Sequence, residues 1–112
     1  MADIALDLLP NGKWKTIFDE VYRTKIGTIT VPAGYVTDLA SVPRILWPLL
    51  PPFGRYAHAA VMHDWLYTTH RTSRKSADAA LKEVMIQDGV SRWQVWTIYT
   101  AVRLFGGSHY ER

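Results

Sequence analysis

His63, Asp64, Tyr67 and Asp78 are the residues whose types and spacing could carry chemistry. His63 and Tyr67 stand one turn apart in a stretch with no Pro or Gly between Arg55 and Arg71, which therefore reads as one helix. Ala59, Ala60, Met62, His63, Leu66 and Tyr67 recur at three- and four-residue spacing and define one buried face. Asp64 is the next residue round. A carboxylate beside a core-facing histidine is costly unless it meets a metal, a cation or a hydrogen-bond donor.

A second strong helix, Ser76 to Met85, stops at Asp88-Gly89. The short link before it makes the two helices an antiparallel hairpin. His63 lies about eight residues before the middle of the turn and Asp78 about seven after it, so at ~1.5 Å per residue the two are nearly level. A carboxylate opposite an imidazole fixes its tautomer and orientation, so His63 and Asp78 suit a general base and its orienter, with Asp64 left for a cation. The same spacing suits a structural hydrogen-bonded pair with Asp64 on an exposed face. Tyr67 is expected in the core, its hydroxyl bonded across the hairpin. Asp38 reads either as a turn or cap residue or as a further ligand, and its turn, Thr37 to Ser41, is expected to pack near His63.

These residues need elements to hold them. Ile4, Leu6 and Leu8 alternate with Ala5 and Asp7 up to a turn at Pro10-Asn11-Gly12. Trp14 to Thr24 forms a second strand-like stretch and Ile26 to Val31 a third, and together they predict a small antiparallel sheet. Ser41 can cap a short helix ending near Pro48, and Pro51-Pro52-Phe53-Gly54 reads as a rigid link. Ser91 caps a last helix, Arg92 to Phe105, ended by Gly106-Gly107. The expected fold is α+β in one domain over 1–112. A small N-terminal antiparallel sheet, about 1–36, precedes a three-helix layer, about 41–106, that contains the hairpin. Trp47, Trp65, Trp93 and Trp96 are expected mostly in the core; an exposed subset would mark a protein or membrane surface.

Composition narrows the classes. With 48% apolar residues the 112-residue chain can bury one modest core. The absence of Cys excludes disulfides and thiolate metal sites. A formal charge of +3 with scattered Lys and Arg gives no case for nucleic-acid binding. The densest basic run, His70 to Lys75, reads as a solvated turn or a phosphate contact. No apolar run reaches the ~18 residues of a transmembrane helix, and Met1-Ala2-Asp3 is not the start of a signal peptide. His58 is roughly 140° round the helix from His63, a poor co-ligand for a metal.

Ala59-Ala60-Val61-Met62-His63-Asp64-Trp65-Leu66-Tyr67, with Asp78-Ala79-Ala80, resembles the helix pair of secreted phospholipases A2. Ala59, Ala60 and Leu66 stand where that family has cysteines. The resemblance implies that His63 deprotonates a water attacking an ester carbonyl. It also implies that Asp78 and Tyr67 hold His63, and that Asp64 binds calcium, with Asp38 as a further ligand. A wider pattern runs from Pro32-Ala33-Gly34-Tyr35-Val36-Thr37-Asp38-Leu39-Ala40-Ser41-Val42-Pro43-Arg44 through His63-Asp64-Trp65-Leu66-Tyr67 to Arg74 and Ala77-Asp78. It resembles a phage and prophage family known as domain of unknown function thirteen fifty-three, and implies a phage origin. The expectation is a phage-encoded, divalent-cation-dependent lipid or ester hydrolase, with phospholipid or another phage protein as partner, in the host cytoplasm or the virion. The competing expectation is a non-catalytic virion or tail component.

Overall fold

The computed structural model describes residues 4–37 and 53–107. Five short strands come first: β1 Leu6–Leu8, β2 Trp14–Thr16, β3 Glu20–Thr24, β4 Gly27–Val31 and β5 Val36–Thr37. Three helices follow: α1 Phe53–Thr69, α2 Arg74–Gln87 and α3 Arg92–Phe105. The architecture is α+β.

The strands form two sheets rather than one. β1, β2 and β5 make an antiparallel three-stranded sheet in that order, with Leu6 opposite Thr16 and Trp14 opposite Thr37. β3 and β4 make a separate hairpin, with Tyr22 opposite Ile29. The stretch Trp14 to Thr24 breaks between Ile17 and Asp19, and the Asp19 carboxylate accepts the backbone N–H of Ala33 at 2.7 Å. An aspartate serving a neighbouring loop in this way favours a turn over a continuous strand.

α1 is buried on almost every side. Ala57, Ala59, Ala60, Val61, Met62, His63, Asp64, Leu66 and Tyr67 are all inside, so the expected single face is too narrow a description. A helix apolar nearly all round is a central one, and here α2 and strand β4 pack directly against it. α1 begins at Phe53, inside the segment expected to be a rigid link. It ends with His70 in the left-handed region at φ 52°, its N–H bonded to the Leu66 carbonyl at 3.0 Å.

Ser73 then caps α2, accepting the Ser76 N–H at 3.1 Å. Asp88 and Gly89 close α2 as expected, with Gly89 at φ 80°. Ser91 stands at the N-cap of α3, but its hydroxyl turns to the Gln94 side chain. The inner side of α3 carries Val95, Ile98, Ala101 and Val102; Trp93 and Trp96 lie outside, contrary to the expectation of core tryptophans. The expected short helix from Ser41 to Pro48 and the position of Trp47 lie outside the described residues.

Candidate active site

Three helices converge on one carboxylate. α1 presents His63 and Tyr67, α2 presents Asp78, and α3 presents Arg103. His63 Nε2 lies 2.7 Å from Asp78 Oδ1, and both side chains are fully inaccessible to solvent. The Tyr67 hydroxyl donates to the same Oδ1. Arg103 Nη1 donates to Oδ2 at 2.8 Å from a guanidinium one-third exposed. The near-level placement expected across the α1–α2 turn is therefore met.

The protonation pattern follows from the donors. Burial would raise the Asp78 pKa, but hydrogen bonds from His63, Tyr67 and Arg103 outweigh it and hold the carboxyl below its ordinary value. An ionised carboxylate only accepts, so His63 must carry its hydrogen on Nε2. In the neutral ring Nδ1 then bears the lone pair. It is buried and has no hydrogen-bond partner among the described residues. Burial first, and the Asp78 bond and charge second, push the Tyr67 phenol upward, which keeps it a donor. The bond to Asp78 likewise raises the Arg103 pKa.

Arg103 was not among the residues singled out by sequence. The signal was present: Asp78 lies 10 residues before the Asp88 cap and Arg103 12 after the Ser91 cap. The level-counting that pairs His63 with Asp78 across the first turn pairs Asp78 with Arg103 across the second. Arg74, from the basic run expected to be solvated, turns inward, and its Nη2 donates to the carbonyls of Val102 and Arg103. It thereby ties α2 to carbonyls of the last turn of α3 and fixes the backbone that carries Arg103.

Asp64 is buried, not exposed. Its Oδ2 accepts the Thr37 hydroxyl at 2.6 Å and the Tyr35 hydroxyl at 2.8 Å. Thr16 holds the loop that delivers them: its hydroxyl donates to the Pro32 carbonyl at 2.8 Å and accepts the Tyr35 N–H at 2.9 Å. Gly34, at φ 86°, makes the tight turn there, its N–H bonded to the Thr16 carbonyl. The need for a donor beside Asp64 is thus met by hydroxyls. Asp64, Tyr35 and Thr37 are oxygen donors of the kind a hard divalent cation takes, but they bring one carboxylate, and such an ion needs six or more oxygens. No group of three or more His, Asp or Glu suited to a metal occurs among the described residues. Asp38 lies outside the described residues.

The family model described as protein of unknown function, DUF1353, matches residues 14–102. The uncharacterized protein y4jT of Sinorhizobium fredii is 32% identical over 78 residues, covering 68% of this chain and 23% of the relative. The uncharacterized protein y4iH of the same organism is 32% identical over 72 residues, covering 62% of this chain and 30% of the relative. The chain thus spans less than a third of the curated relatives it matches. No solved structure matches it.

Proposed function

The chain belongs to the DUF1353 family of proteins of unknown function, and from that premise we propose that it is a phage-encoded hydrolase of lipid or other ester bonds, with His63 as general base. One observation carries this reading: the His63 Nδ1 is buried and has no hydrogen-bond partner among the described residues, on a ring whose other nitrogen is tied to the Asp78 carboxylate, so that in the neutral ring it offers a lone pair. That is the state a base needs before it takes a proton from water. Nδ1 removes the proton as the water oxygen attacks the ester carbonyl. The imidazolium that results is stabilised by Asp78, whose own charge Tyr67 and Arg103 hold in place. The proton then passes from Nδ1 to the leaving alkoxide.

Asp64 is the residue on which calcium binding would centre, with Asp38 as a further carboxylate. When bound, a divalent ion would polarise the carbonyl and stabilise the oxyanion. The test uses the full chain, a phospholipid or short-chain ester, and calcium or a chelator. His63→Gln keeps much of the ring's shape but cannot serve as the base, and should reduce turnover by at least the ~100-fold typical of general-base loss. Asp64→Asn should abolish calcium binding read by calorimetry. Wild-type turnover that survives His63→Gln sinks the proposal.

A second reading has its own observation. Full burial of His63 and Asp78 favours a polar pin in the core of a non-catalytic virion or tail component. It expects no turnover under any condition and a clear loss of stability for His63→Gln.

A further inference from the structure

The outer face of α3 has no use in the chemistry above. Trp93, Trp96, Thr100 and Leu104 recur at three- and four-residue spacing and so form one stripe. Trp93, Trp96 and Leu104 are 58%, 56% and 69% exposed. Such a run of large apolar groups on the outermost helix needs a partner.

Charge says which partner. No Asp or Glu occurs from Gly89 to Tyr110, while α3 carries Arg92 and Arg103. Arg103 is committed to Asp78. Arg92 and Lys82 border the stripe: they line a shallow depression of about 190 Å³ with Ile86, Val95 and Trp96. The Lys82 ammonium stands 4.5 Å from the Trp96 ring centroid and 4.8 Å from that of Tyr99. Of the acids on α2 and at its cap, Asp78 bonds Arg103, Asp88 bonds His58, and Glu83 accepts the Lys25 backbone N–H and the Gln87 side-chain amide. Indole rings with adjacent cations and no facing carboxylate match the interfacial zone of a bilayer, where Trp sits at headgroup level and Lys and Arg meet lipid phosphate. A second copy of the chain fits less well. A two-fold contact would set Arg92 and Lys82 against their own equivalents with no acid on α3 to pair them.

We propose that the Trp93–Trp96–Leu104 face of α3, with Lys82 and Arg92, docks on anionic phospholipid bilayers. Docking is read without turnover: a chain that binds vesicles but hydrolyses nothing sinks the proposed hydrolase and leaves this inference standing, and the reverse outcome does the opposite.

The experiment is co-sedimentation of the full chain with vesicles of phosphatidylcholine, with and without phosphatidylglycerol, over a range of salt. Binding should require phosphatidylglycerol and weaken as salt rises. Trp93→Ser with Trp96→Ser should lower partitioning at least about tenfold. Lys82→Gln with Arg92→Gln should lower it roughly tenfold to thirtyfold at low salt. All four positions are at the surface or its border, and circular dichroism checks that the variants fold. Equal binding to both vesicle types, no binding to either, or binding unchanged in both double variants overturns the inference. Lipid-free self-association that the Trp pair variant abolishes also overturns it, and assigns the face to a second copy instead.

Discussion

Two histidine–aspartate pairs among the described residues are built from the same two helices, and they differ in nearly every physical respect. In both, α1 supplies the histidine and the aspartate comes from α2 or its cap. His63 uses Nε2 to reach Asp78 at 2.7 Å with both side chains sealed. His58 uses Nδ1 to reach Asp88 at 2.6 Å, with side chains 16% and 7% exposed. Asp78 collects further donors from Tyr67 and Arg103. Asp88 sits at the C-cap of α2, with His58 as its side-chain partner. Tyr22 covers His58, its ring centroid 4.7 Å away and its hydroxyl bonded to the His58 carbonyl. Glu20 stands near enough that the His58 charge opposes the rise burial gives its pKa. Identical residue types therefore make a sealed charge network inside and a slightly exposed two-residue clamp at the helix end. The difference lies in burial and in the number of donors.

That contrast can be broken, and the largest effect should come from the inner pair. Asp78→Asn leaves Arg103 without its carboxylate and the His63 ring with a neutral neighbour. It should cost about 3–5 kcal/mol in urea unfolding, the range for a broken buried ion pair. A cost below that of Asp88→Asn would erase the distinction between the pairs. Tyr67→Phe removes one of the donors to Asp78 and should cost about 1–3 kcal/mol in the same measurement.

pH sharpens the same comparison. The folded Asp78 pKa lies below its ordinary 3.8. Its charge-dependent stabilisation is complete above that value and disappears as pH falls through the lower folded value. The pH-dependent part of the gap between wild type and Asp78→Asn should therefore be flat at neutral pH and close only in acid. A gap that closes near pH 6 instead would assign the effect to a histidine. The smallest effect is expected for Asp88→Asn, about 1 kcal/mol, because the asparagine oxygen can still accept from His58 and one hydrogen bond is weakened rather than a network broken.

The inner pair was also the more legible. Level-counting across one turn places His63 opposite Asp78 because both sit on uninterrupted helices with a short link. Arg103 needed the same count across a second turn. Tyr35 was harder, and of the turn expected near His63 only Thr37 lies among the described residues, where it bonds Asp64. Both reach Asp64 because β5 pairs with β2 and Thr16 ties down the Pro32–Tyr35 loop, a register set by contacts distant in sequence. The break at Phe18-Asp19 was hidden for a related reason: the aspartate's partner, Ala33, lies on another loop. Trp93 and Trp96 were expected in the core because size and hydropathy cannot say whether another element covers a residue, and both are exposed.

The tie at Asp78 also sets a clock. One carboxylate is held by α1 through His63 and Tyr67 and by α3 through Arg103, so no helix of the layer can swing away while the others keep these bonds. Gly106 tightens the closure, since a Cβ there would stand 2.9 Å from the Tyr67 hydroxyl. The backbone amides around His63 can then exchange with deuterium only when all three helices open together. Their exchange should be among the slowest in the chain and should share one opening free energy, while the amides of β1 and of the β3–β4 hairpin exchange on their own, faster schedules.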